Sequence, residues 1–111
     1  MAEAQNESIV NLDDTGDFEY AVLKAPVPVI VDLWAPWCGP CQVQGPILEQ
    51  FARVYADRVR VVKINIDRHP ELAKRFRVHA IPTLLVFKDG NQTERLVGIH
   101  SIEDLKKSAA L

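Results

Sequence analysis

An α/β domain, with a central mixed β-sheet flanked by helices on both faces, is what three features of this 111-residue chain predict. Short apolar runs alternate with stretches of helical periodicity, the order that gives parallel strands joined by crossover helices. One run, Val29-Ile30-Val31-Asp32-Leu33-Trp34, is apolar at nearly every position, as a central strand covered on both faces must be. The last two runs flank Lys88-Asp89-Gly90, and Asp-Gly between strands signals a hairpin, so the closing pair is antiparallel.

The elements follow in order. Residues 1–7 are polar and read as a flexible N-terminal lead-in, leaving 8–111 as one domain. Residues 8–12 fit a short edge strand. Asp13 or Asp14 can cap a helix running to about residue 25, with Phe18, Ala21, Val22 and Ala25 at helical spacing and Pro26 and Pro28 ending it. The strand 29–34 comes next. A helix from the Cys-Gly-Pro-Cys segment to about residue 56 carries Ile47, Leu48, Phe51, Ala52 and Tyr55 on one stripe, with Pro46 inside it as a kink. Residues 59–66 make a second buried strand. A short helix spans 71–76, strands span 83–87 and 93–98, and Ser101 caps a last helix with Ile102 and Leu105 inward.

Composition narrows the function. Hydrophobic residues at 48% and charged residues at 25% are an ordinary globular balance, which excludes a disordered chain. A net charge of −2 gives no electrostatic grip on nucleic acid or anionic lipid. No apolar run approaches the roughly 20 residues that span a bilayer. The acidic, polar start lacks the basic and apolar regions of a secretory signal, so a reducing, cytoplasmic setting is expected. There a close cysteine pair is catalytic or metal-binding more often than structural.

The chain has two cysteines, Cys38 and Cys41, placed where a buried strand hands over to a helix. Side chains three apart on a helix have Cβ atoms about 5–6 Å apart, and a disulfide wants Cα atoms roughly 4.4–6.8 Å apart. A Cys38–Cys41 disulfide can therefore open and close with little backbone motion. Pro40 fits the first turn, where amides have no helical acceptor. Cys38, at the helix N-terminus, meets unpaired amides and the positive end of the dipole. Such a place lowers a thiol pKa from about 8.5 towards neutrality, which makes Cys38 the expected nucleophile. Cys41, one turn deeper and less exposed, would resolve the mixed disulfide. The chemistry needs no cofactor and no metal. Three other readings remain: a zinc site, which would need two further ligands from His69, His79 and His100 without the usual spacing; a structural disulfide, which would constrain little over four residues; and a pair of inert core thiols.

Trp37-Cys38-Gly39-Pro40-Cys41 is the centre of a wider likeness. With Val31-Asp32-Leu33-Trp34-Ala35, Pro46, Lys63-Ile64-Asn65-Ile66-Asp67, Ile81-Pro82-Thr83-Leu84, Phe87-Lys88-Asp89-Gly90 and Val97-Gly98, the chain resembles the thioredoxin family of bacterial type from about residue 9 to its end. The resemblance implies the thioredoxin fold and a general protein-disulfide reductant. It implies disulfide-containing protein substrates, a flavin-dependent thioredoxin reductase as electron donor, and a monomer. Gly39-Pro40 places no cation between the sulfurs, where a histidine would favour an oxidant.

Residues around the sulfurs are read in the same light. Asp32 interrupts an apolar strand. Buried, it would keep its proton near neutrality and act as base or acid for Cys41; otherwise it points to solvent. Lys63 resembles the family lysine that lies near this acid, the alternative being an exposed lysine at a strand end. Pro82 resembles the family's cis-proline, which would turn the Ile81 backbone towards the cysteines for strand-like pairing with substrate. Otherwise it simply begins a strand. Trp34 is expected to support the site from beneath. Trp37, Ile66, Ile81, Val97, Gly98 and Ile99 would form an apolar rim that receives partners, although Trp37 could serve as core packing. The histidines read as solvated. Gln42, Gln44-Gly45 and Ala80 depart from the common pattern: Gln42 removes a cation beside Cys41, Gln44 can face solvent, and Ala80 can narrow the groove. Two other functions stay open, a disulfide oxidant or isomerase and a non-catalytic binding subunit of a partner protein.

Overall fold

The computed structural model describes residues 9–15 and 17–111. The expected lead-in 1–7 and Ser8 lie outside the described residues, as do the side chains of Asp14 and Thr15. Five strands form one sheet: β1 (Ile9–Asn11), β2 (Val29–Trp34), β3 (Arg60–Asn65), β4 (Thr83–Lys88) and β5 (Asn91–Val97), in spatial order β1-β3-β2-β4-β5. β1 and β2 both run parallel to β3, while β4 pairs antiparallel with β2 and with β5. The sheet is mixed, and its antiparallel part is the Asp89-Gly90 hairpin, where both residues take positive φ as such a turn requires.

Four α-helices, α1 (Leu12–Thr15), α2 (Gly39–Val54), α3 (Pro70–Arg75) and α4 (Ile102–Ser108), cover the sheet. Strand alternation sorts the core into two halves. Val29, Val31 and Leu33 of β2 pack with Phe18, Ala21, Val22 and Leu72 on one face. Ile30 packs on the other with Leu48, Phe51 and Ala52 of α2 and Leu105 of α4. By the same period of two, Asp32 and Trp34 belong to the α2 face. Every residue from Val29 to Leu33 is buried, which is why the run reads as apolar on both sides. No helix among the described residues is long and apolar enough to cross a membrane.

The first helical segment corrects the sequence reading. In place of one helix to residue 25 there is α1 and then a separate π-helical turn, Glu19–Leu23. Asn11 caps α1, accepting the Asp13 N–H at 3.1 Å, so Asp13 lies inside the helix and is not its cap. The Asp17 carboxylate takes the Tyr20 N–H at 3.0 Å and so starts the second segment. At the other end of the chain Ser101 forms a full capping box with Asp104, each side chain bonded to the other's backbone N–H.

Two histidines are also more engaged than expected. His69 Nε2 lies 2.8 Å from Asp13, tying α1 to the start of α3, and His100 Nε2 donates to the Val97 carbonyl at 3.1 Å. His79 is exposed.

Candidate active site

The site grows from the junction of β2 and α2. Cys38 is the N-cap of α2: its backbone is extended, and its Sγ accepts the Cys41 N–H at 3.2 Å. This is the position where an oxygen of Ser or Asp commonly satisfies an orphan amide. Here a sulfur does so, and an anionic sulfur would do it better, because the amide and the helix dipole both favour negative charge. Pro40 occupies the first turn, where it costs no ladder bond. Gly39 leaves open space, since a Cβ placed there meets nothing within 4 Å.

Cys38 and Cys41 form a disulfide, with Cα atoms 5.3 Å apart. Both are 5% exposed, so accessibility does not rank them as the sequence reading had it. Their surroundings differ instead. Cys38 Sγ lies 3.6 Å from the Ile81 carbonyl oxygen, whereas Cys41 sits within the helix, one turn in. Ala35, Trp34, Ile66 and Ile81 pack around the two sulfurs. The Ile81–Pro82 peptide is cis, and the Pro82 carbonyl accepts the Gly98 N–H at 2.9 Å.

On β2, the strand that leads into the cysteine segment, Asp32 is 1% exposed. Burial pushes its carboxyl from 3.8 up to about 7, and the nearby Lys63 ammonium pulls in the opposite direction. The two residues are register partners on β2 and β3. Among the described residues nothing donates to Asp32 Oδ1, so the cost of burying charge is met by holding the proton. Lys63 Nζ rests 4.9 Å from the centre of the Trp34 ring, a cation–π contact that fixes its position. Replacing Lys63 by Met should raise the Asp32 pKa further. Carboxyl titration by NMR checks this, and an unchanged midpoint would mean the ammonium is too well solvated to be felt.

Trp37 is 69% exposed, which rules out the core-packing reading. Its Nε1 donates to Asp67 Oδ2 at 3.0 Å, so the indole is held at its edge while its faces stay open. Val97 and Ile99 are exposed and Gly98 is half-buried with φ of +89°, a conformation that favours glycine. Two residues here escaped the sequence reading. Asp67 closes the segment Lys63-Ile64-Asn65-Ile66-Asp67, and its carboxylate spacing from Trp37 has no local signature. Gln44 is fully buried, contrary to the expectation that it faces solvent: its amide pairs with the backbone of His100. Ala80 is exposed.

A family model described as thioredoxin matches residues 8–110. The chain belongs to the thioredoxin family. It is 46% identical over 100 residues to the thioredoxin of Pseudomonas aeruginosa, covering 90% of this chain and 92% of that one. It is 47% identical over 93 residues to the thioredoxin of Acidithiobacillus ferridurans, 84% of this chain and 85% of the relative. For the thioredoxin of Alicyclobacillus acidocaldarius the figures are 43% over 94 residues, 85% and 89%. As a thioredoxin-family protein with a Cys-x-x-Cys at disulfide distance, it is a thiol–disulfide oxidoreductase of the protein-disulfide reductase kind. Membership implies disulfide-bearing substrates and a reductase that restores the dithiol.

Proposed function

We propose that this protein is a general reductant of protein disulfides in the cytoplasm, working as a monomer and recharged by a flavin-dependent thioredoxin reductase. The observation that carries this reading is the disulfide-bonded pair at the start of α2, with Cys38 as the cap beside the Ile81 carbonyl and Cys41 inside the first turn. The Cys38 thiolate attacks one sulfur of a substrate disulfide, forming a mixed disulfide and releasing the other sulfur as a thiolate. Cys41 then loses its proton and attacks the Cys38 sulfur. The Cys38–Cys41 disulfide forms and the second substrate thiol leaves, so two electrons have passed to the substrate. Asp32, protonating and ionising near neutral pH, takes the Cys41 proton, and Lys63 tunes that acid. Trp34 supports the site, Gly39 keeps its approach open and Pro40 begins the helix.

The rim accounts for breadth of substrate. Trp37, Ile66, Ile81, Val97, Gly98 and Ile99 offer apolar contact beside backbone groups of Ile81 and Gly98. An extended segment paired to main chain is recognised with little regard to its side chains. Gly39-Pro40 supplies no cation to stabilise the thiolate strongly, which favours a reductant over an oxidant or isomerase. Two measurements test the reading. The protein should reduce insulin catalytically when coupled to a thioredoxin reductase and NADPH. In a glutathione buffer it should remain mostly oxidised, because a reductant has the lower potential. A pair found mostly reduced in that buffer would make it an oxidant, and absence of turnover would leave only the binding role.

A further inference from the structure

Gln44 lies three residues beyond Cys41 on α2, on the side of the helix that faces the protein. A buried amide is costly unless each polar group is paired, and both groups of Gln44 are spent on a single residue. Its Nε2 donates to the His100 carbonyl at 3.1 Å, and its Oε1 accepts the His100 N–H at 2.7 Å. The side chain thus pairs with main chain as a neighbouring strand would. His100 directly follows Val97, Gly98 and Ile99, the last part of the rim, and its ring turns back to the Val97 carbonyl. The other end of this segment is fixed by the Gly98 N–H on the Pro82 carbonyl. Gly98 itself is in the left-handed region and adds no stiffness. Val97 ends β5 in register with Thr83, and beyond the sheet the segment is held by two anchors, one beside Ile81–Pro82 and one on the helix that carries both sulfurs.

We infer that Gln44 is a positioning residue for protein substrates: it locks the Val97–Ile99 segment in register with α2, so that the rim is set at a fixed height relative to Cys38. The inference rests on the rim reading given above. A rim ordered in advance spares a bound polypeptide the entropy of ordering it. A small disulfide, which needs only the sulfur, gains nothing from the anchor.

The test compares insulin with hydroxyethyl disulfide as substrates of Gln44→Met and of Gln44→Asn, whose shorter stem cannot span both backbone groups. Both variants should raise KM for insulin about fivefold with kcat within about twofold of the parent, the size expected for losing neutral hydrogen bonds. The rate with hydroxyethyl disulfide should not change. An unchanged KM, or equal losses on both substrates, overturns the inference. Should the variants not fold, the unmodified protein still decides: the His100 amide, donated to Gln44, should be protected from hydrogen exchange, and free exchange overturns the anchor. Ile99→Asp separates this inference from the reading beneath it. If Ile99→Asp leaves the KM for insulin unchanged, the rim reading fails; if it raises KM while the Gln44 variants do not, only the anchor fails.

Discussion

Cys41→Ser is expected to stop turnover after a single event and to leave the protein covalently joined to its substrate. Cys38 keeps its place as the cap of α2 in this variant, with the residue 41 N–H still donated to its sulfur. It can therefore still attack. The mixed disulfide then has no second thiol one turn away, and release must wait for an external thiol. Turnover should fall by at least about a thousandfold, since an intramolecular attack at this separation acts like a very high concentration of thiol. Cys38→Ser should be inactive without trapping anything, because the attacking sulfur is gone and Cys41 lies within the helix. Non-reducing electrophoresis and mass spectrometry of the adducts distinguish the two. If Cys41→Ser cycled through many equivalents of insulin, the division of labour between the sulfurs would be wrong.

Much of this architecture was legible because the chain writes it locally. The run at β2 is apolar on both faces, the hairpin carries Asp-Gly, and Ser101 stands just before the apolar spacing of the last helix. These signals act over one or two turns, and each survives in the structure. The first helix differs from its sequence pattern because Phe18, Ala21, Val22 and Ala25 keep helical spacing, while the capping that divides the segment, through Asn11 and Asp17, depends on which of several polar side chains reaches a backbone amide. Gln44 was misjudged for a different reason. A glutamine on a helix is exposed by default, and only the arrival of residue 100 from the far end of the chain supplies the two backbone groups that make its burial tolerable. Asp67 and Trp37, thirty residues apart, meet in the same way. Cysteine exposure was likewise beyond the sequence: it depends on how Ile66 and Ile81, from two other loops, close over the sulfurs.

Asp32→Asn should make the fold more stable and the enzyme slower, both effects following from one buried group. A carboxyl that titrates at about 7 in the folded protein and at 3.8 in the open chain binds its proton more tightly when folded. Between those values the folded state holds more protons than the unfolded one, so stability falls as pH rises. Below the open-chain value the two states are equally protonated and the cost disappears. Above about 7 the full cost applies, up to about 4 kcal/mol. Asparagine has no proton to lose. Its stabilisation over the parent should be large at pH 8 and absent at pH 3.5, as read from urea melts at the two values. Catalysis moves the other way. At pH 8 most Asp32 is ionised and able to take the Cys41 proton, and the variant lacks that base. Resolution of the mixed disulfide should slow by about a hundredfold near pH 7, the lower end of what a positioned base contributes. The gap should narrow at higher pH, where Cys41 ionises unaided and the base is no longer needed. Stopped-flow traces of substrate thiol release across this range carry the decision. Equal rates in both proteins near neutrality would reduce Asp32 to a buried acid without a part in the exchange, whatever it does to the melt.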